Sequence, residues 1–549
     1  MKKMKKMKRI KKMKKKKRKK YNGWVNDYPF SYLVKPPDIC HNENMDNILK
    51  QLQLSIGKDP GFFFGHKETC EPTYYIGLRQ GEEGNILVVG GNGSGKSSGL
   101  AKPTLAAWHG AICVTDVKGE LSDSYQKLYR LGKVKRPFII FDPTKIDSTG
   151  YDPFYLLKQD EDNLYNSICE IADALIPIPH DIKEPFWLES EQSILKAALS
   201  YGFHLGLSFR ESIIKIMSST ATNLVMNIIK NGDDLSKMFI GETSNLKPET
   251  IASIDRELRN KLAVFVTDKF IFNAFREDSD CFSWDDLDEY NIFLRIPADK
   301  IDQWGNIINL MYTQLIRHLE RRPEKYSPDG KNNVPILLLM DEFARFGKLN
   351  IITDAVSTLR SKNVNICLFI QSLAQLDKIY GVNDRRIILD NCQYKAILQA
   401  NDADTQEYFS RLIGTHINKQ QSKSEQFDDI MDTIGYSNQL SEIRERIIFP
   451  HELSTLNDIL LLSPYGFCHI DKLQLYDIEN NQLVSNGNTV YAANAETIPV
   501  SETSGTENDF LHQGITVRTI PAEEVLNDYG PLLQVRTFDP RELNNNPKI

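Results

Sequence analysis

The stretch that most restricts what this chain can fold into is "NILVVGGNGSGKSSGL", Asn85 to Leu100. A short apolar run ends in glycines, and Gly90, Gly95, Lys96 and Ser97 fit the spacing G-x-x-x-x-G-K-[ST]. That spacing has a mechanical meaning when a buried strand enters the loop and a helix leaves it. Glycines let consecutive backbone N–H groups turn inward around phosphate oxygens, and the helix N-terminus adds its positive end. Gly90, Gly91, Asn92, Gly93, Ser94, Gly95, Lys96, Ser97 and Ser98 are therefore the expected nucleotide cradle. Lys96 is placed to reach the β- and γ-phosphates, and Ser97 to offer its hydroxyl to Mg2+. The competing reading is a surface glycine turn. "GKSSG", Gly95 to Gly99, also fits the G-x-S-x-G elbow of hydrolases, but the cradle accounts for these residues and no histidine partner is evident.

The flanks supply a sheet. "NILVVG", "AICVTD" and "RPFIIFDP" are buried-strand runs, separated by the helix-length segments "GLAKPTLAAWHG" and "GELSDSYQKLYRLG". Pro103 is awkward in the first of these helices, because it falls after the first turn. From about 154 to 285 the pattern is helical, as in "FWLESEQSILKAALSYGFHL" and "TIASIDRELRNKLAVFV". Alternation resumes with the strand runs "NIFLRIP", "VPILLLMDE", "NICLFIQS" and "YKAILQA". The expected fold class is α/β, a doubly wound, mainly parallel sheet interrupted once by an inserted all-α domain. The nucleotide-binding domain would then occupy 81–153 and 286–480, with the insertion at 154–285. Residues 21–80 form an N-terminal segment of weak periodicity. Residues 481–549 hold nine acids against four bases and are expected to be a loosely ordered acidic tail.

A second motif completes the chemistry. In "PILLLMDE" an apolar strand leads to Asp341-Glu342. A carboxylate ending a central strand, one strand from the phosphate loop, can hold Mg2+ through water, which is the role expected of Asp341. Glu342 beside it can orient and deprotonate an attacking water, which favours hydrolysis over mere binding. Gln371 ends the next strand, "LFIQS", where it can sense the γ-phosphate or hold the water. Arg360, in "STLRSKN", lies nineteen residues after Asp341 at a helix end. It either reaches a neighbouring subunit's nucleotide or makes a helix C-terminal dipole contact.

Charge is uneven. The first twenty residues carry 15 Lys and Arg and no acid, which leaves 52 basic against 73 acidic residues in the rest, a net of −21. A basic arm on an acidic body can meet an anionic lipid surface or nucleic acid by charge alone. The alternatives are a solvated, disordered tail, or a start at Met4, Met7 or Met13. No apolar run approaches the ~18–20 residues that span a bilayer, and the arm lacks the apolar core of a secretory signal. The eight cysteines stand singly with no C-x-x-C pair, as expected of free thiols in a reducing cytoplasm.

Taken together, these pieces resemble the type IV secretion coupling proteins, the TraG/TraD group of conjugation ATPases. "GGNGSGKSSGLAKPTLAAWHGAICVTDVKGEL" resembles their phosphate-loop region, including a "D-x-K-G-E" motif at Asp116, Lys118, Gly119 and Glu120. "FIIFDP" and "YDPF" fit the next strand and turn, with Asp152 where the family has Asn. "LLLMDEFARFGKL", "LRSKNVNICLFIQSLAQLDKIYG", "RERIIFPHELSTL" and "HIDKLQLY" resemble the later elements, so the likeness covers about 80–480. It implies a RecA-like motor domain working as a ring, expected to be a homo-hexamer, with Arg360 as the trans-acting arginine and Gln371 as the sensor. It further implies ATP and Mg2+ as cofactors, with single-stranded DNA, its relaxase or relaxosome, and secretion channel components as partners. Family members usually begin with transmembrane helices, and this chain shows none. The reading frame is then truncated, or a separate partner supplies the anchor, or residues 1–20 act as a charge tether; the expected location is cytoplasmic and peripheral at the inner face of the membrane. Two other readings stay open: an FtsK/HerA-type translocase of double-stranded DNA, and a non-hydrolysing docking receptor ordered by nucleotide.

Overall fold

The computed structural model describes residues 43–490 other than 56–57, 68–73, 180–181, 242, 330–332, 428–432, 473, 478–481 and 486–487. The basic arm 1–20 and most of the acidic tail expected over 481–549 lie outside the described residues. In chain order the strands are β1 (Gln53–Ser55), β2 (Gly61–Gly65), β3 (Tyr74–Arg79), β4 (Ile86–Val89), β5 (Ala111–Asp116), β6 (Phe138–Phe141), β7 (Gly150–Tyr151), β8 (Cys281–Phe282), β9 (Asn291–Arg295), β10 (Ile336–Met340), β11 (Val364–Ile370), β12 (Tyr394–Ile397), β13 (Thr415–Phe427), β14 (Thr433–Arg446), β15 (Ile459–Ser463) and β16 (Gly466–Ile470).

Nine of them make one sheet, in the order β16-β15-β12-β4-β11-β10-β5-β9-β6. The strands from β12 to β6 are mutually parallel, and β15 and β16 close one edge antiparallel. The central strands β4, β5, β10 and β11 are buried along their whole length. This explains their unbroken apolar runs, since a parallel sheet is covered on both faces. Alternate residues feed two cores. Leu87, Val89, Leu338 and Leu368 join one, while Ile86, Val88, Leu339 and Phe369 join the other. The fold is the expected doubly wound α/β sheet with a helical insertion.

The chain leaves this sheet after β6 and rejoins it at β9, and the insertion runs from β7 to β8. These two short strands pair with each other, Gly150 opposite Cys281, and close its neck. Between them lie helices Leu164–Leu175, Phe186–His204, Phe209–Ser218, Ala221–Asn231, Asp234–Ile240 and Pro248–Leu262. Ser208, Thr220 and Asp233 start three of them by accepting a backbone N–H from the first turn. Among the described residues no helix is long and apolar enough to cross a membrane.

Three sequence expectations change. Pro103 is not awkward, because the helix begins as a π turn over Ser97–Ala101 and becomes α-helical only at Lys102–Ala107. The Lys102 N–H donates to Ser97 O, and Pro103 falls in the first α-turn, where a missing N–H costs little. The weakly periodic N-terminal segment contains a helix, Glu43–Leu52, and an antiparallel sheet of order β1-β3-β2. The sheet packs under the helix that follows the glycine loop, where the Phe63 N–H donates to Thr104 Oγ1 at 3.0 Å. Part of the stretch expected as loose tail is in strands: 482–485 and 488–490 pair in a small sheet with 474–477.

Candidate functional site

The ladder hydrogen bonds fix where the motif residues meet. Gly90 N–H donates to Ile370 O at 3.1 Å, and Asp341 N–H donates to Thr115 O at 3.3 Å. Because β11 lies between β4 and β10, the glycine loop, Gln371 and Asp341-Glu342 all emerge from one edge of the sheet. This is the carboxyl edge, where ligands of open α/β sheets bind. Gly93 and Gly95 have φ of +75° and +92°, so the loop needs glycine at both positions. A Cβ on Gly90 would fall 2.4 Å from Ser94 Oγ, and one on Gly91 would fall 2.7 Å from Asn401 Nδ2. Lys96 Nζ donates to Gly90 O and, at 3.1 Å, to Gly91 O, so the ammonium lies over the loop. Ser97 opens the following helix, with Ser98 beside it. Asn92 is exposed at the loop's tip.

Two carboxylates face this loop in different electrical states. Asp341 is 4% exposed, and burial, with Glu342 and Asp116 nearby, raises its pKa to about 6. Burial also pushes Glu342 upward, but hydrogen bonds from Arg345 and Lys118 outweigh it and hold the carboxyl below its ordinary value. Glu342 Oε1 lies 3.2 Å from Lys118 Nζ, and its Oε2 accepts from Arg345 Nη1 at 3.1 Å. Burial lowers the Lys96 pKa, against the pull of Asp341 and Glu342.

Gln371 and Arg360 part company. Gln371 stands between the loop and Asp341, and its Oε1 accepts from Gln375 Nε2 at 3.3 Å. Arg360 is in the turn Leu359–Lys362 that precedes β11, at the opposite edge of the sheet. The seven residues of β11 separate the two, roughly 20 Å at about 3.3 Å per residue. Arg360 Nε lies 3.6 Å from Glu83 Oε2. This placement keeps Arg360 away from its own cradle and is compatible with both readings from the sequence, a neighbouring subunit's nucleotide and a helix C-terminal dipole contact.

Some residues at the site had no role assigned from sequence. Lys118 was visible only as part of "D-x-K-G-E", and Arg345 only as part of "DEFARFG". Asn401 and Gln399, which lie against Gly91, directly follow the apolar run that ends β12. The donor set fits a magnesium nucleotide. A hydroxyl (Ser97), a carboxylate (Asp341) and an ammonium (Lys96) converge on a glycine cradle, and the buried Ser94 Oγ in that cradle finds no protein partner.

The chain is similar to known proteins over most of its described length. Residues 43–497 match the family model described as Type IV secretory system Conjugative DNA transfer. Protein VirD4 of Rhizobium radiobacter is 24% identical over 441 residues, covering 76% of this chain and 60% of that protein. Conjugal transfer protein TraG of Escherichia coli is 20% identical over 393 residues, covering 66% of this chain and 61% of that protein. The chain thus spans about three fifths of the length of these relatives. Among solved structures, plasmid coupling protein TrwB in complex with ADP and Mg2+ superposes with a TM-score of 0.56 at 18% identity, covering 77% of this chain and 90% of that one. An unbound form of the TrwB coupling protein gives a TM-score of 0.53 at 18% identity over 70% of this chain and 84% of that one. The fold is therefore that of the solved TrwB coupling protein, and the chain belongs to the type IV secretory system conjugative DNA transfer family.

Proposed function

We propose that this chain is an ATP-hydrolysing coupling protein of a conjugative type IV secretion system, which delivers relaxase-bound single-stranded DNA to the secretion channel. One observation carries the reading. Lys96, Ser97, Gln371, Asp341 and Glu342 emerge at one sheet edge, in a chain that belongs to the conjugative DNA transfer family. Solved TrwB complexes with ADP and Mg2+ and with an ATP analogue support the choice of ligand. Lys96 and the loop amides bind the phosphates, and Gln371 and Glu342 position water, with Glu342 taking its proton. Mg2+, held by Ser97 and Asp341, would neutralise charge on the β- and γ-phosphate oxygens.

Arg360 serves a neighbouring subunit's nucleotide, since it sits on the far edge of its own sheet. A subunit that supplies an arginine on one side and a cradle on the other builds a ring, for which we propose a homo-hexamer. The relaxosome and channel components are the remaining partners. Residues 1–20 place the motor at the inner membrane face by charge.

The test is hydrolysis of ATP with and without DNA by the wild type and by Glu342→Gln. Stimulation of the wild type, preferring single-stranded DNA, and its loss in the variant are expected. Preference for double-stranded DNA would favour an FtsK/HerA-type translocase. Absence of hydrolysis in both proteins would leave a docking receptor.

A further inference from the structure

The "DVKGE" turn after β5 is not used by the chemistry above, yet it reaches the site. We infer that Lys118 is a positioning residue for Glu342: carried by that turn, its ammonium orients the carboxylate that acts on water. The inference rests on the hydrolytic reading of Glu342.

Glu342 has φ +53°, a left-handed backbone that a glutamate adopts at a cost of about 1–2 kcal/mol. Its side chain is 10% exposed, and each of its oxygens faces a different cation. Arg345 belongs to the same turn, three residues on, and holds Oε2. One local contact leaves the carboxylate free to swing about that oxygen. Lys118 holds the other oxygen, Oε1, from a different strand end, and two anchors on two elements fix the carboxylate plane.

The turn that presents Lys118 is itself rigid. Asp116 Oδ2 accepts both the Ser122 N–H and the Ser122 hydroxyl, at 2.8 and 2.6 Å. Gly119 takes φ +75° to bring the chain round into the helix Glu120–Arg130. Glu120 Oε2 lies 3.7 Å from Lys102 Nζ, on the helix that leaves the phosphate loop. Each residue type in the motif thus has a physical task, and Lys118 is the one aimed at the site. Asp341, Glu120 and Lys96 are the other charges around Lys118, and Glu342 is the one it touches.

The Lys118 side chain is 56% exposed. A pair of that kind contributes little to stability, so its loss leaves the fold intact and shows in turnover instead.

The experiment compares full-length wild type, Lys118→Met, Lys118→Arg, Glu342→Gln and the Lys118→Met/Glu342→Gln double variant. It measures kcat and KM for Mg-ATP, calorimetric binding of Mg-ADP, and Tm. Lys118→Met is expected to lower kcat by about ten- to a hundredfold, the scale of a misplaced catalytic group. KM, Mg-ADP affinity and Tm should match the wild type, and Lys118→Arg should recover most of the rate. The double variant should be no slower than Glu342→Gln alone, because Lys118 acts through Glu342. Wild-type kcat in Lys118→Met would overturn the inference, as would raised KM with unchanged kcat or additive losses in the double variant. If Glu342→Gln hydrolyses ATP like the wild type, the hydrolytic reading itself fails. If Glu342→Gln is inactive while Lys118→Met is normal, only the present inference fails.

Discussion

Asp341 and Glu342 are consecutive residues whose carboxyls are driven in opposite directions. Asp341 is buried at the end of β10 beside Asp116 and Glu342, and its pKa rises to about 6. Glu342 turns outward through a left-handed backbone, and despite burial the cations of Lys118 and Arg345 hold its carboxyl low. On the proposed reading, in which Asp341 faces Mg2+, a carboxylate in so electrically crowded a pocket gains most when a cation arrives. A base kept ionised is ready to accept a proton.

The two acids should therefore fail differently. Glu342→Gln keeps the shape and removes the base, so ATP hydrolysis should fall by roughly 10²- to 10⁴-fold, the usual worth of a general base. Binding of Mg-ADP should stay near wild type. Asp341→Asn should weaken Mg-ADP more than ADP without Mg2+. Calorimetric titration with and without Mg2+ checks both, and equal loss in the two titrations would argue against a metal role for Asp341.

The cradle makes a separate prediction at Gly93. A Cβ there meets nothing within 4 Å, yet φ is +75°. Substitution is therefore a conformational matter and not a steric one. Gly93→Val should destabilise the loop and weaken nucleotide binding by about 1–2 kcal/mol, and Gly93→Asn should do so less, since asparagine visits this region readily. Equal losses for Asn and Val would point to a side-chain clash with nucleotide instead.

The sequence was informative wherever burial imposed a pattern. β4, β5, β10 and β11 read as strands because both faces are covered, and the motif residues follow directly from their ends. The N-terminal sheet was not legible. β2, "GFFFG", is buried at every position and too short to show a period. The hairpin β13–β14 pairs thirteen residues of Thr415–Phe427 with Thr433–Arg446, and its polar sequence gives no apolar alternation to read. The π turn at Ser97–Ala101 is set by the Lys102 N–H to Ser97 O bond, which no local rule anticipates. The Lys118–Glu342 pair joins two motifs that are far apart in the chain and adjacent only because β5 pairs with β10.

His318 offers a pH test away from the site. It lies on the helix Gly305–Glu320, 20% exposed, with Nδ1 3.6 Å from Asp285 Oδ1. Burial lowers its pKa below 6.5, and Arg322 and Arg321 add to this against the pull of Asp285 and Asp288. The folded state thus resists a proton that the unfolded chain accepts. This contribution to stability is intact above the unfolded pKa of 6.5 and is lost as pH falls towards the lower folded value. Urea unfolding of wild type and His318→Gln at about pH 7.5 and about pH 5.5 should show the steeper loss in the wild type. Parallel losses would mean that His318 is not a group that resists protonation.

Arg360 carries the last prediction, because its placement decides between one subunit and two. It stands before β11, on the edge opposite the cradle, beside Glu83. If it acts on a neighbour's nucleotide, Arg360→Ala should bind Mg-ADP normally and lose hydrolysis by roughly 10³-fold or more, as for other arginine fingers. Lys96→Ala should be inactive through its own cradle. Mixing the two inactive proteins then rebuilds complete sites, wherever an intact cradle faces a neighbour with an intact Arg360. Random one-to-one assembly makes about a quarter of sites complete, so partial activity should return on mixing. No recovery in co-assembled rings would place Arg360 outside the reaction, because its own cradle lies roughly 20 Å away along β11.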